Sequence, residues 1–253
     1  MPDSVASFDG ARIAYTARGA GPDVLLLHGF GADHALNWGR SGMIDALVDH
    51  GRRVIATDAR GHGASDKPHD PERYADDTMV RDARAVLDHL GVEQVDVVGY
   101  SMGAMVAARL VPDEPRARSL VLGGVGKTVV PPRSGGRNPE AIAAALLADD
   151  PSAIDSLAGK AFREFADATG ADRRALAALS RSAALRYSVR YDAITVPTLV
   201  IAGTGDTLIR SPDALAARLP SARLRMVKGD HLGAPYHREF KHAIVGFLEG
   251  VQR

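Results

Sequence analysis

The stretch Gln94-Val95-Asp96-Val97-Val98-Gly99-Tyr100-Ser101-Met102-Gly103-Ala104-Met105-Val106-Ala107-Ala108-Arg109-Leu110 carries the reading of the whole chain. It opens on a Val-rich run that predicts a buried parallel strand. It closes on small and apolar residues that predict a helix. Gly-x-Ser-x-Gly therefore falls where a strand turns sharply into a helix. A serine on so tight a turn holds a strained backbone. Only small residues two positions to either side let strand and helix pass closely, and Gly99 and Gly103 give that room. The turn lifts the Ser101 hydroxyl clear of the sheet. It also sets the Met102 N–H at a helix start, where backbone donors are unpaired and the dipole favours negative charge.

The same strand–helix rhythm extends outward in both directions. Upstream, Val5 to Phe8 and Arg12 to Ala17 flank Asp9-Gly10 and predict an opening hairpin. Val24-Leu25-Leu26-Leu27 and Val54-Ile55-Ala56-Thr57 read as buried strands. Met43 to His50 and Asp76 to Leu90 read as helices, the second from its three- and four-residue apolar spacing. Downstream, Leu120-Val121-Leu122, Thr198 to Ala202 and Arg223 to Val227 read as strands, with helices over Pro212 to Leu219 and Tyr236 to Leu248. Repeated units of this kind predict a mostly parallel α/β sheet, eight-stranded, with helices on both faces.

The rhythm breaks between Lys127 and Arg190. Asn138-Pro139 opens an Ala-rich helix to about Ala148, Pro151 opens a second that Thr169-Gly170 stops, and a third runs from about Asp172 to Ala184. The division is core over 1–126, a helical cap insertion over 127–190, and core again over 191–253.

Composition narrows the function classes. The chain has 253 residues, 45% of them hydrophobic and 25% charged, as expected of a globular protein with a sizeable core. A net charge of +0 gives no electrostatic case for nucleic acid or an anionic membrane. Cys is absent, which removes disulfides, cysteine nucleophiles and thiolate metal sites. The start has no basic or apolar leader, and no apolar run reaches membrane length. The expectation is a cytoplasmic protein acting on a small-molecule substrate, with no nucleic-acid or membrane partner and no cofactor or metal. Oligomeric state is not legible.

In such sheets ligands bind beyond the carboxyl ends of the strands. Four features occupy such ends: His28-Gly29-Phe30, Ser101, Asp206 and His231. The last three are the residue types of a nucleophile, an orienting acid and a base. A serine hydroxyl is a poor nucleophile at neutral pH and needs an adjacent base. A neutral histidine held by a carboxylate can take its proton and later return it.

Together with Asp58-Ala59-Arg60-Gly61-His62-Gly63-Ala64-Ser65, Val196 to Asp206 and Gly229-Asp230-His231, these motifs resemble the α/β-hydrolase superfamily over nearly the whole chain. Within it the chain looks most like small capped serine esterases and haloperoxidase-like or carbon–carbon bond hydrolases. The resemblance implies Ser101 as nucleophile, Asp206 as acid and His231 as base, with the Phe30 and Met102 N–H groups as the oxyanion hole. It implies cleavage of a small carboxylic ester or related acyl compound through an acyl-enzyme. Two rivals share the fold: carbon–carbon cleavage or perhydrolysis on the same triad, and a non-enzymatic small-molecule receptor. Relatives that open epoxides or remove halides use an aspartate at the elbow, and here a serine stands there.

Phe30, Trp38, Leu147 and Phe162 are candidate pocket residues. Trp38 reads equally as core. His28, Asp58 and His62 read as loop-fixing. Asp230, next to His231, is badly placed to clamp its neighbour's ring. Gly126-Lys127-Thr128 lacks the spacing of a phosphate loop. Arg173, Arg174, Arg181, Arg186 and Arg190 read as a solvated helix face.

Overall fold

The structure is a computed structural model and describes residues 2–75, 77–127, 138–182 and 189–251. A sheet of eight strands runs through it in the order β1-β2-β4-β3-β5-β6-β7-β8. The strands are β1 (Asp3–Ala6), β2 (Arg12–Arg18), β3 (Asp23–Leu27), β4 (Arg53–Thr57), β5 (Val95–Tyr100), β6 (Ala117–Gly123), β7 (Thr198–Gly203) and β8 (Ala222–Val227). The β1–β2 and β2–β4 pairings are antiparallel and the rest are parallel. The opening hairpin forms as expected, but its first strand lies earlier than the Val5–Phe8 expectation.

Alternation inside the apolar strands divides the core into two layers. Leu25, Leu27, Val95, Val97, Leu120, Leu122 and Val200 pack on one side, against α2 (Thr78–His89), α3 (Met102–Leu110) and α7 (Pro212–Ala216). Val24, Leu26, Val98, Val121, Leu199 and Ile201 pack on the other, against α1 (Met43–Asp49) and α8 (Arg238–Val251). Asp96 is the exception in its strand. Its buried carboxylate takes Arg52 and Arg118 at 2.7 Å each and the Ser119 hydroxyl at 2.8 Å. Removing one arginine would leave a buried charge short of a partner, the costly way to break such a group.

Between β6 and β7 the described chain is helical: α4 (Pro139–Leu147), α5 (Leu157–Thr169) and α6 (Arg173–Arg181). Each begins on a side-chain cap, from Asn138, Ser156 and Asp172 respectively. Pro151 opens only a single 3₁₀ turn, and α5 waits for the Ser156 cap. Ile142, Ala143, Leu146, Ala166, Leu176 and Ala177 form the cap's own small core, against which Phe30 of the main domain packs. The end of the third expected helix, beyond Ser182, lies outside the described residues, as do Arg186 and Thr128.

The elbow is built as the glycine spacing requires. Ser101 holds φ 52° and ψ −113°, one of two non-glycine residues with positive φ among the described residues. A Cβ on Gly99 would be driven into the backbone of Gly103, and one on Gly103 into the carbonyls of Leu27 and His28. Backbone cannot yield as a flexible side chain can. Gly103→Ala should therefore cost about 3 kcal/mol or more, or leave no soluble protein. Gly246→Ala, at an exposed position of α8 where an added Cβ meets nothing within 4 Å, should stabilise by about 0.5–1 kcal/mol. Chemical denaturation of the two variants checks both signs.

Candidate active site

Ser101, Asp206 and His231 come from three different strand ends and meet. His231 Nδ1 lies 2.7 Å from Asp206 Oδ2, and its Nε2 lies 2.9 Å from Ser101 Oγ. The Asp206 side chain is fully buried and that of His231 is 10% exposed. A carboxylate only accepts, so Nδ1 carries the proton and Nε2 offers its lone pair to the Ser101 hydroxyl. The pairing of β7 with β8 continues past the strands to set the acid beside the base: Thr204 N–H donates to Val227 O at 2.8 Å, and Gly205 N–H to Gly229 O at 3.0 Å. The other carboxylate oxygen of Asp206, Oδ1, accepts from Leu208 N–H at 3.0 Å. Asp230 is turned to its own loop, where it accepts from the Leu232 and Gly233 N–H groups.

Neither the Phe30 nor the Met102 N–H has an acceptor among the described residues. Two free donors beside the serine are what an oxyanion requires. The loop bearing Phe30 is fixed from below: Gly29 N–H donates to the buried Asn37 Oδ1 at 2.9 Å. The sequence reading passed over Asn37, which lies in a short π-helical turn over Ala35–Gly39 that no periodicity announces.

The loop histidines and Asp58 form the floor beneath this loop. His28 Nδ1–H donates to Gly29 O at 2.8 Å and its Nε2 accepts from Ala59 N–H at 2.9 Å, and burial pushes its pKa down. Burial raises the Asp58 carboxyl, but the His34 ring and the N–H groups of Ala64 and His34 outweigh it and hold Asp58 at about 2. His34 is raised in turn by that same bond, 2.7 Å long. Burial, with His28 beside it, pushes His62 down to about 3, and its ring stands edge-on to both His28 and Phe30. His28, Asp58 and His62 are thus loop-fixing, as their sequence context predicted.

The four pocket candidates separate. Phe30 and Phe162 meet edge to face at 5.4 Å, so α5 reaches the loop that bears Phe30. Trp38 is fully buried in the layer beneath Tyr100 and is a core residue, which corrects the pocket reading. Leu147 is also corrected. It ends α4, one position past the buried Leu146, and lines an outer groove of about 420 Å³ with His69 and Arg174. The cap arginines mostly pair: Arg181 with Glu140 at 2.6 Å, Arg173 with Asp167 at 3.6 Å, and Arg190 with Asp113.

Comparison with known proteins agrees with this architecture. A family model described as the alpha/beta hydrolase fold matches residues 22–142. Over 101 residues the chain is 39% identical to "Epoxide hydrolase 2" of Siraitia grosvenorii, a match covering 40% of this chain and 31% of that one. The chain thus spans less than a third of that relative's length. A hydrolase from Pseudomonas aeruginosa PA01 superposes with a TM-score of 0.76 at 28% identity, over 99% of this chain and 98% of the other. A thermophilic esterase from Thermogutta terrifontis superposes at 0.79 with 22% identity over all of both chains, a likeness of fold alone.

The buried histidines make the fold acid-sensitive. Unfolded, His62 would titrate near 6.5, but folded it binds its proton only near 3. Between those values the unfolded chain holds a proton that the folded chain lacks, so stability falls as pH falls. The slope from His62 alone should be about 1.4 kcal/mol per pH unit below about 6. Denaturation curves from pH 7 to pH 4 should show His62→Phe flattening the decline by close to one proton.

Proposed function

We propose that this chain, a member of the α/β-hydrolase superfamily, is a serine hydrolase of small carboxylic esters. The observation that carries the reading is the continuous line from Asp206 Oδ2 through the His231 ring to Ser101 Oγ, with links of 2.7 and 2.9 Å. Ser101 Oγ attacks the ester carbonyl while His231 Nε2 takes its proton. The carbonyl oxygen becomes an oxyanion, received by the Phe30 and Met102 N–H groups. One such donor is worth about 2.7–4 kcal/mol of transition-state stabilisation. As the C–O bond breaks, His231 returns the proton to the leaving alkoxide, which departs as alcohol. Water then attacks the acyl-serine, His231 takes its proton, and Ser101 leaves protonated as the acid is freed. Asp206 stays ionised throughout and holds the imidazolium in place.

Ester chemistry is supported further by the wall that Phe30 and Phe162 make beside the donors, an apolar surface suited to an acyl or alcohol group. Epoxide opening, which the name of the curated relative suggests, is disfavoured by the serine at the elbow. Carbon–carbon cleavage, perhydrolysis and ligand reception without turnover are the readings against which an ester screen decides.

Fluorophosphonate should attach covalently to Ser101, and Ser101→Ala should abolish both labelling and ester turnover in a folded protein. Labelling at another serine would overturn the assignment. Asp206→Asn should lower kcat by about three to four orders of magnitude, the loss expected when a neutral amide holds the wrong imidazole tautomer. Phe162→Ala should shift the acyl-chain-length profile in graded fashion, about 1–3 kcal/mol per methylene at most. A uniform loss on every ester would place the selectivity elsewhere.

A further inference from the structure

Tyr100 precedes the nucleophile, and its side chain points away from the helix that the elbow begins. Its hydroxyl donates to the backbone carbonyl of His231 at 2.6 Å. Its ring lies tilted against the His231 imidazole, with centroids 5.5 Å apart. Trp38 and Phe240 close it in edge-on, at 6.4 and 5.8 Å. The residue is 4% exposed.

The chain makes room for this side chain at some cost. Gly123 ends β6 and Gly124 follows it, and a Cβ on either would come within 2.7 or 2.8 Å of the Tyr100 ring. Gly124 holds φ +62°, and its N–H still donates to Ile201 O at 2.9 Å, so the pair is locked into the sheet's edge. The Gly-Gly after β6 is therefore the slot for one aromatic ring. Phe would fill the same volume. What tyrosine adds is a single buried donor, and that donor goes to the catalytic histidine.

We propose that Tyr100 is a positioning residue for the base: through the His231 carbonyl it fixes the imidazole against Ser101. The inference rests on the serine-hydrolase reading and deepens it. The other bonds of the His231 loop tie it elsewhere. Gly229 O is held by Gly205 N–H, and Asp230 collects the N–H groups of Leu232 and Gly233. These fix the loop to β7 and to itself, not to the strand that carries the nucleophile. Tyr100 makes that link. Residues 100 and 101 are adjacent, so one strand end grips His231 twice, by its carbonyl and by its Nε2. A small error in that placement is expensive, because proton transfer needs both heavy atoms within hydrogen-bond reach. Burial, reinforced by Asp206 and Asp230, raises the Tyr100 phenol, so it remains a donor wherever the enzyme works.

The test is Tyr100→Phe, which deletes the donor and keeps the ring. The rate of fluorophosphonate labelling at Ser101 and the steady-state kinetics on p-nitrophenyl acetate are measured beside thermal unfolding. The expected result is a fall of about three- to ten-fold in kcat and in labelling rate with KM unchanged, the range one lost hydrogen bond gives. The relative loss should be equal on acetate and on longer acyl esters. A lowered melting temperature with wild-type kcat and labelling rate would overturn the proposal, because a structural strut moves only the first. If Tyr100→Phe does not fold, Trp38→Phe loosens one wall of the ring's slot and must give the same kcat-only signature in weaker form. Unchanged kcat there overturns it equally. Wild-type protein that takes no label at Ser101 sinks the serine-hydrolase reading itself, whereas a labelled wild type with an unaffected Tyr100→Phe sinks only the role of Tyr100.

Discussion

The left-handed backbone of Ser101 is the constraint to which the surrounding structure answers. A non-glycine residue at φ 52° and ψ −113° costs on the order of 1–3 kcal/mol and persists only where its neighbours overdetermine it. Here they do. Ser101 N–H donates to Gly123 O at 2.8 Å, and Ser101 O accepts from Ala104 and Met105 at 3.1 and 3.2 Å. Gly103 lies so close to the end of β3 that no side chain fits. The turn is held from β6, from its own helix and from β3 together. In return it faces the hydroxyl toward His231 and leaves the Met102 N–H without an acceptor among the described residues. A relaxed loop would satisfy that donor and bury or mobilise that hydroxyl.

The floor beneath the oxyanion loop shows a second use of buried polarity. Asp58 accepts from two backbone N–H groups and the His34 ring. Its neighbour Arg60 is fully buried and spans Asp9, Asp82 and the Arg73 carbonyl. Such networks rarely add net stability over apolar packing, but they are intolerant of partial disruption. Their effect on the site is local: Asp58 ties down His34, at the far end of the loop that bears Phe30, where no regular secondary structure does so.

The strand–helix succession, the helices on both faces of the sheet and the three residues that meet at its edge were legible in the sequence because each rests on a local signal: continuous apolar runs, helical spacing, and small residues where chain segments cross. What stayed hidden depends on residues far apart. Asp96 looked like one polar position in a Val-rich run, and only the fold brings Arg52 and Arg118 to it. Nothing local in Gly123-Gly124 shows that the pair makes the slot for the Tyr100 ring. Trp38 was undecidable because a π-helical turn has no pattern to show which way a side chain faces. Leu147 was misjudged by a single helical step: Leu146 is fully buried and Leu147 is 40% exposed.

The cap also proves harder to separate from the chemistry than its place in the sequence suggests. Helix α5 touches the oxyanion loop at three points. Phe162 meets the Phe30 ring, Phe165 would contact any side chain at Gly31, and the Thr169 hydroxyl lies 3.0 Å from Gly31 O. That hydroxyl has one proton and shares it with the Phe165 carbonyl at 2.9 Å, so its hold on the loop is partial. A substrate group that displaces Phe162 therefore pushes on the residue whose N–H is proposed to hold the oxyanion. With a rigid cap, selectivity and rate would be separate properties, one read in KM and the other in kcat. With α5 seated on Phe30 and Gly31 they are joined, because the apolar wall and the proposed oxyanion donor belong to one residue.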